Sequence, residues 1–190
     1  MHLIEGIKSR KSIGKVKQDP VEKEKIEALL ELATYAPNHH LTEPWRFFVM
    51  TGEGRKVLGN AYRDIALEKV TDPTDEAIAL IETKQHGKAN RAPVVIAVAV
   101  SFRGQEEIER IEDRAATYAA IQNMLLGANA MGLGTIWRSG APMYHPTMKQ
   151  AFGLGENDEL VGLIYIGYPE VEPKEKPRKP VSQVTTWMEQ

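Results

Sequence analysis

The sequence predicts an α+β fold, with a few buried strands among many helices. Three observations carry this. Two apolar runs of strand length, "APVVIAVAVS" over 92–101 and "ELVGLIYIGYP" over 159–169, have the continuous apolar character of strands covered on both faces. The segment 106–131 has helical length. It is charged at its start and apolar nearly all round at its end, so that end belongs in the centre of the molecule. Finally, the glycine fingerprint of a doubly wound sheet is missing. Gly52 and Gly54 follow a strand, but the third glycine that would let helix and strand pack closely is replaced by Val57.

The elements follow in order. Residues 2–9 form a short helix with Leu3, Ile4 and Ile7 on one side, and the polar run "SRKSIGK" comes next. A helix is predicted to start at Asp19, with Asp19 as cap, Pro20 in the first turn and Glu22 three residues past the cap. Ile26, Leu29, Leu30 and Ala33 fall on one face of it. Pro37 stops it near Tyr35 or Ala36. A polar loop leads into a strand over 46–50, "TGEGR" turns the chain, and helices are predicted over 54–69 and from Asp75 to Lys88, with a break at 72–74. After the strand 92–101 and the helix 106–131, "GLGTIWRSG" makes a tight turn and a short strand around 135–137. His145 to Phe152 is a short helix ended by Gly153, and the strand 159–169 follows. The tail has four prolines between 169 and 180 and alternating charge, so it cannot fold on itself. Its apolar anchors Val184 and Trp187 favour an arm lying extended across a surface. The expected organisation is one domain over 1–168 and an arm over 169–190.

Composition excludes several classes. The 24 Lys and Arg against 26 Asp and Glu leave a charge of −2, without the basic excess of a nucleic-acid binder. The chain has no cysteine, which removes disulfides, thiolate nucleophiles, iron–sulfur clusters and zinc–thiolate sites. That usage fits a reducing cytosol. The N-terminus lacks a long apolar stretch and carries Glu5 early, unlike a secretory signal. The apolar segment 115–131 is interrupted by Thr117, Gln122, Asn123 and Asn129, short of the ~20 apolar residues of a membrane span. A cytoplasmic protein without nucleic-acid or membrane partners is expected.

Candidate chemistry is sparse. His39 and His40 are adjacent and cannot share a helix face, His86 and His145 stand alone, and no H-E-x-x-H occurs, so no metal site is expected. Ser139 is not in a G-x-S-x-G elbow. Two loops pair arginine with serine: "SRKS" over 9–12 after a helix and "WRSG" over 137–140 after a strand. Arginine offers a planar donor fork suited to phosphate, and serine adds a neutral donor. Singly, each reads as a solvated loop. Together with the His, Trp and Arg residues of "YAPNHHLTEPWRFFVM" (35–50), they point to an aromatic ligand carrying a phosphate. Trp45 itself reads as core packing at a strand entrance.

The motifs "SRKSIGK", "APNHHLTEPWRFFVM", "RAPVVIAVAV", "GLGTIWRSG" and "LIYIGYPE", in this order, resemble the FMN-dependent nitroreductase family, and most closely its compact branch of NAD(P)H nitroreductases. The resemblance spans residues 3–170. It implies the nitroreductase-like α+β fold: a mostly antiparallel central sheet flanked by helices, in an intertwined homodimer with FMN at the interface. The helix ending near Met131 would then lie in the dimer core, and the arm 169–190 would reach over the partner subunit.

The resemblance also implies site residues. Arg10, Lys11 and Ser12 match the family's R-R-S motif, with Arg10 and Ser12 expected at the phosphate and ribityl chain. Trp137, Arg138 and Ser139 match its second phosphate loop, with Arg138 the main phosphate partner. His39 and Tyr35 match contacts made across the dimer, and Asn38 would approach the flavin beside His39. The stretch Gly127, Ala128, Asn129, Ala130, Met131 and Gly132 matches a segment tied to nicotinamide cofactor binding, although so apolar a helix reads first as core. Two positions depart from the pattern. Gly14 stands where many relatives carry a cation, leaving Lys15 to take that role from one position along. Tyr35 stands where some carry Arg. No side chain is expected to be catalytic, because the flavin carries the chemistry. The implied activity is ping-pong transfer of a hydride from NADH or NADPH to FMN, and of electrons on to a small-molecule acceptor such as a nitroaromatic or quinone. The alternative is a flavin-binding module, a sensor or carrier, without NAD(P)H turnover. Relatives that cleave rings or remove halogens carry lid segments for which this chain is short.

Overall fold

The computed structural model describes residues 2–104, 106–172 and 177–188. Its centre is a four-stranded sheet of β1 (Trp45–Thr51), β2 (Val94–Ser101), β3 (Gly134–Arg138) and β4 (Asp158–Gly167). The spatial order is β1-β2-β4-β3 and every pair is antiparallel. Antiparallel pairing of β1 with β2 rules out a dinucleotide-binding βαβ unit at Gly52–Gly54 and agrees with the expected sheet.

Alternation along the two inner strands sorts the helices into layers. Val94, Ile96, Val98 and Val100 point to one face, with Val161, Ile164 and Ile166 of β4. There they meet α2 (Lys23–Thr34) through Ile26 and Leu29, and α5 (Glu107–Ala130) through Ala120, Ile121 and Met124. Val95, Ala97 and Ala99 point to the other face, with Leu160, Leu163 and Tyr165. They meet Leu58, Ala61 and Ile65 of α3 (Lys56–Leu67) and Met148 of α6 (Pro146–Ala151). β2 is therefore sealed on both sides, as its unbroken apolar run predicts. Each fully buried Val, Ile or Leu contributes about 1.5–3 kcal/mol relative to exposure. A bulge between Val98 and Ala99, which pair with Gly162 and Leu160, leaves Val161 as the extra residue and shifts the alternation, so that Val161 shares a face with Ile164 and Ile166, and Leu160 with Leu163 and Tyr165.

α1 (Leu3–Ser9) lies against the end of α5, and α4 (Asp75–Ala89) packs on α3. α4 is capped as a helix should be: the Thr74 hydroxyl accepts the Ala77 N–H at 3.2 Å. α5 begins with a capping box formed by Glu106 and Glu109. One helix start differs from expectation. α2 begins at Lys23 rather than at Asp19–Pro20. Residues 16–21 are instead drawn out along the sheet: Val16 bridges Pro169, Lys17 N–H donates to Tyr168 O at 2.8 Å, and Val21 is buried in the core. Those contacts outweigh the local cap. The new start is secured by Tyr168, whose hydroxyl accepts from Lys25 at 2.6 Å and donates to Glu22 at 2.5 Å. The Tyr168 hydroxyl, then the backbone N–H of Glu22 itself, then the Lys25 ammonium hold the Glu22 carboxyl down at about 2.

Of the expected arm over 169–190, residues 173–176 and 189–190 lie outside the described residues. Pro169 and Glu170 pair with the 15–17 segment. Farther on, Val181, Val184, Trp187 and Met188 are all strongly exposed. No helix among the described residues is long and apolar enough to cross a membrane.

Candidate functional site

The segment after α1 is laid along the edge of the sheet beside β3. Ser12 bridges Thr135 in parallel, and Ile13 N–H donates to Thr135 O at 2.8 Å. Two glycines permit this close approach. A Cβ at Gly134 would sit 3.1 Å from Ile13, and one at Gly167 would sit 2.9 Å from Val16. The loop with Arg10, Lys11, Ser12 and Lys15 is thereby brought to the strand that ends in Trp137 and Arg138, with Ser139 just after it. Gly14 faces the second arginine directly: a Cβ there would be 3.6 Å from the Arg138 guanidinium. Arg10 and Lys11 are half-buried, Ser12 and Lys15 exposed.

Trp137 and Arg138 turn to opposite faces of the sheet. The Trp137 indole N–H donates to Val161 O at 3.2 Å, and its ring lies 5.6 Å from that of Tyr118. Arg138 projects to the α3 side, its guanidinium 5.5 Å from the Tyr165 ring centroid. Its Nε is buried without a hydrogen-bond partner. A buried donor of that kind costs free energy unless something accepts from it.

Arg138 and Ser139 line a cavity of about 390 Å³ with Tyr62 of α3, Lys88 of α4, Arg91 and Tyr165. The volume is in the range of small-molecule sites. Its lining holds three cations and no carboxylate. Burial pushes the Lys88 ammonium below its ordinary pKa, and the neighbouring Lys84 and Arg91 charges push the same way. Burial likewise raises the Tyr62 and Tyr165 hydroxyls, which also hydrogen-bond to each other, so both stay neutral. Uncompensated positive charge, neutral hydroxyls and an orphaned guanidinium N–H together form an anion-accepting pocket. Tyr62, Lys88, Arg91 and Tyr165 escape sequence reasoning, because they come from separate elements and no spacing links them.

Tyr35, Asn38 and His39 form a second group, outside the lining of that cavity. Tyr35 caps the end of α2 and is 75% exposed. The loop after it is held by Asn38, whose side chain accepts the Glu43 N–H at 3.0 Å and donates to Ala36 O at 3.3 Å. Pro37, Asn38 and His39 arch over Glu112, Ala115 and Ala119 of α5. Trp45 is half-buried against the core, as expected.

The segment 127–132 ties α5 to its neighbours. A Cβ at Gly127 would fall 2.5 Å from Leu32, and Ala128 is fully buried. The Asn129 amide donates to Gly6 O at 3.1 Å and to the Ser9 hydroxyl at 3.0 Å. Ala130 lines an apolar groove of about 400 Å³ that also includes Gly127, Leu32 and Tyr35. Met131 caps the helix, and Gly132 turns the chain at φ +75°. No group of three or more His, Asp or Glu suited to a metal ion occurs among the described residues.

Fold and site together define an α+β protein with a cation-lined cavity beside the edge strand of its sheet. Residues 7–168 match the Nitroreductase family. The chain is 39% identical over 183 residues to "Putative NAD(P)H nitroreductase YfhC" of Bacillus subtilis (strain 168), covering 96% of this chain and 92% of the relative. It is 31% identical over 172 residues to "Putative NAD(P)H nitroreductase YdjA" of Escherichia coli (strain K12), covering 90% and 91%. Among solved structures, a nitroreductase-like family protein from Bacillus cereus superposes with a TM-score of 0.87 at 33% identity, covering 100% of this chain and 97% of that one. The chain belongs to the nitroreductase family and is an oxidoreductase.

Proposed function

We propose that the protein is an FMN-dependent NAD(P)H oxidoreductase that works in a ping-pong cycle, taking reducing equivalents from NADH or NADPH and passing them to a small acceptor such as a nitroaromatic or quinone. The observation that carries this reading is Arg138, a half-buried arginine whose Nε is buried without a partner, in a cavity whose lining has three cations and no carboxylate. A phosphate is the complementary group, and Arg presents a fork suited to it. FMN bound here supplies the hydride-accepting and electron-donating chemistry. The chain's residues bind and orient it. Arg138, Arg10 and Ser12 hold the phosphate end, and Trp137 and Ser139 flank it. Lys11 and Lys15 contribute positive charge toward the ring. The names of the Bacillus subtilis and Escherichia coli relatives support NAD(P)H as the reductant.

The working form in this reading is a homodimer, in which Tyr35, Asn38 and His39 of one protomer face the flavin of the other. Two features support it. Tyr35 and His39 are exposed and Asn38 is half-buried, and none of the three lines its own protomer's cationic cavity. The apolar side chains Leu3, Ile4, Ile7, Leu41, Ile108 and Ile111 are also exposed on the α1, loop and α5 surfaces. The segment 127–132 serves the nicotinamide through backbone and groove, since Gly127 and Ala128 have no free side chain to offer. The arm, with exposed Val181, Val184 and Trp187, crosses the second protomer.

The test is the visible spectrum of the purified protein before and after anaerobic addition of NADPH, then NADH. Flavin bands that bleach with either nucleotide are the expected result. Bands that persist with both would favour a flavin-binding module. No bands after added FMN would remove the flavin reading altogether.

A further inference from the structure

We propose that Asp113 is a positioning residue: its buried carboxylate locks the left-handed loop 38–43 in the shape that presents Asn38 and His39 to the flavin of the second protomer. The inference rests on the functional reading above and names the residue that makes the loop competent for it.

Three non-glycine residues of this loop have positive φ: His40 at 54°, Leu41 at 54° and Glu43 at 43°. Side chains with a Cβ resist that region, and leucine has no polar group to offset the cost. Such a backbone persists only where its surroundings over-determine it. Apolar packing does not do this here. Leu41 is 83% exposed, and His39 and His40 are exposed too. The shape rests on polar contacts. One is local, the Glu43 N–H donating to Asn38 Oδ1. The other comes from far away in sequence: the Thr42 hydroxyl, set between Leu41 and Glu43, donates to Asp113 Oδ1 at 2.7 Å. Asp113 lies on α5 and is only 2% exposed. Its other oxygen accepts the Arg103 N–H at 2.9 Å, from the connection between β2 and α5. One carboxylate thus joins the loop, the connection and the helix. A buried carboxylate is costly without directional partners, and this one spends one of its two oxygens on the strained loop.

The experiment titrates FMN into full-length apo-protein and follows flavin fluorescence, alongside dimer mass and apo Tm. Thr42 has ordinary helical φ and ψ, so Thr42→Val removes the hydroxyl without disturbing the backbone. It is expected to weaken FMN binding about tenfold, the scale of a lost hydrogen bond to a charged group. Thr42→Ser, which keeps the hydroxyl, is expected to bind as wild type does. Asp113→Asn is expected to weaken FMN binding at least as much. A purely structural role would lower apo Tm and leave FMN affinity untouched in folded dimer, and that result overturns the inference. Equal FMN affinity in Thr42→Val and wild type overturns it as well, even if Asp113→Asn fails to fold. Wild-type protein that takes up no FMN would instead bring down the functional reading, and this inference with it.

Discussion

Replacing Arg138 by Met separates ligand binding from folding. The Met stem keeps the cover over Tyr165 and removes the guanidinium. In the apo-protein two terms oppose each other. Removing a buried unpartnered donor relieves about 1–3 kcal/mol, since Arg138 Nε has no partner. Losing the guanidinium over the Tyr165 ring, 5.5 Å from its centroid, costs about 0.5–1 kcal/mol. The apo-protein should therefore be as stable as wild type or slightly more so. At about 2–4 °C per kcal/mol for a chain of this size, its Tm should hold or rise by a few degrees. FMN binding should move the other way. A hydrogen bond to a charged group contributes about 1.5–3 kcal/mol. Its loss weakens affinity by about 10- to 150-fold. Fluorescence titration with FMN and thermal scans of apo- and holo-protein read both effects, and the Tm gap between the two forms should narrow. Turnover of the flavin-saturated variant should change far less than its affinity. Unchanged FMN affinity, or a large fall in apo Tm, would refute the reasoning, because either result makes Arg138 a structural residue.

Three further outcomes follow from other parts of the molecule. Tyr168→Phe removes the hydroxyl that holds Glu22 down at about 2 against an ordinary 4.5. A depressed carboxyl stabilises the fold above its unfolded value and loses that contribution as the pH falls through the folded one. The Tm deficit of the variant should therefore be largest at neutral pH and shrink as the pH falls from 4.5 toward about 2, leaving the part owed to the lost Lys25 contact; a deficit constant with pH would sink the assignment. Gly162→Ala puts a Cβ 2.5 Å from Trp137 Nε1 and 3.2 Å from Ile121. Overpacking of that kind costs about 1–3 kcal/mol, so Tm should fall and the tryptophan emission should shift, and an unaltered Tm would count against the packing described. Dilution to a proven monomer should release FMN, measured by gel filtration with absorbance at flavin wavelengths. Flavin retained by the monomer would exclude the role of His39 across the dimer.

Much of the fold is legible in the sequence because burial on both faces leaves a direct trace. Val94–Val100 could hardly be other than a covered strand, and the charge-to-apolar change along α5 locates its central end. The paired Arg–Ser loops are also legible, since the residue types themselves suit a phosphate. The start of α2 is not, because a local cap signal at Asp19 competes with Val16, Val21 and Tyr168, and the long-range contacts win. The same holds for the left-handed loop, as His40, Leu41 and Glu43 carry no signal for positive φ.

By itself, then, the sequence determined the fold class, the strand and helix inventory and the two cation-bearing loops, all of which depend on residue type and spacing along the chain. The tertiary structure alone decided what surrounds Arg138. It brought Tyr62, Lys88, Arg91 and Tyr165 to Arg138 from separate elements, and it set Asp113 beneath Thr42. The physical reason is that charge complementarity and hydrogen bonding act over a few ångströms in space, whatever the separation in sequence.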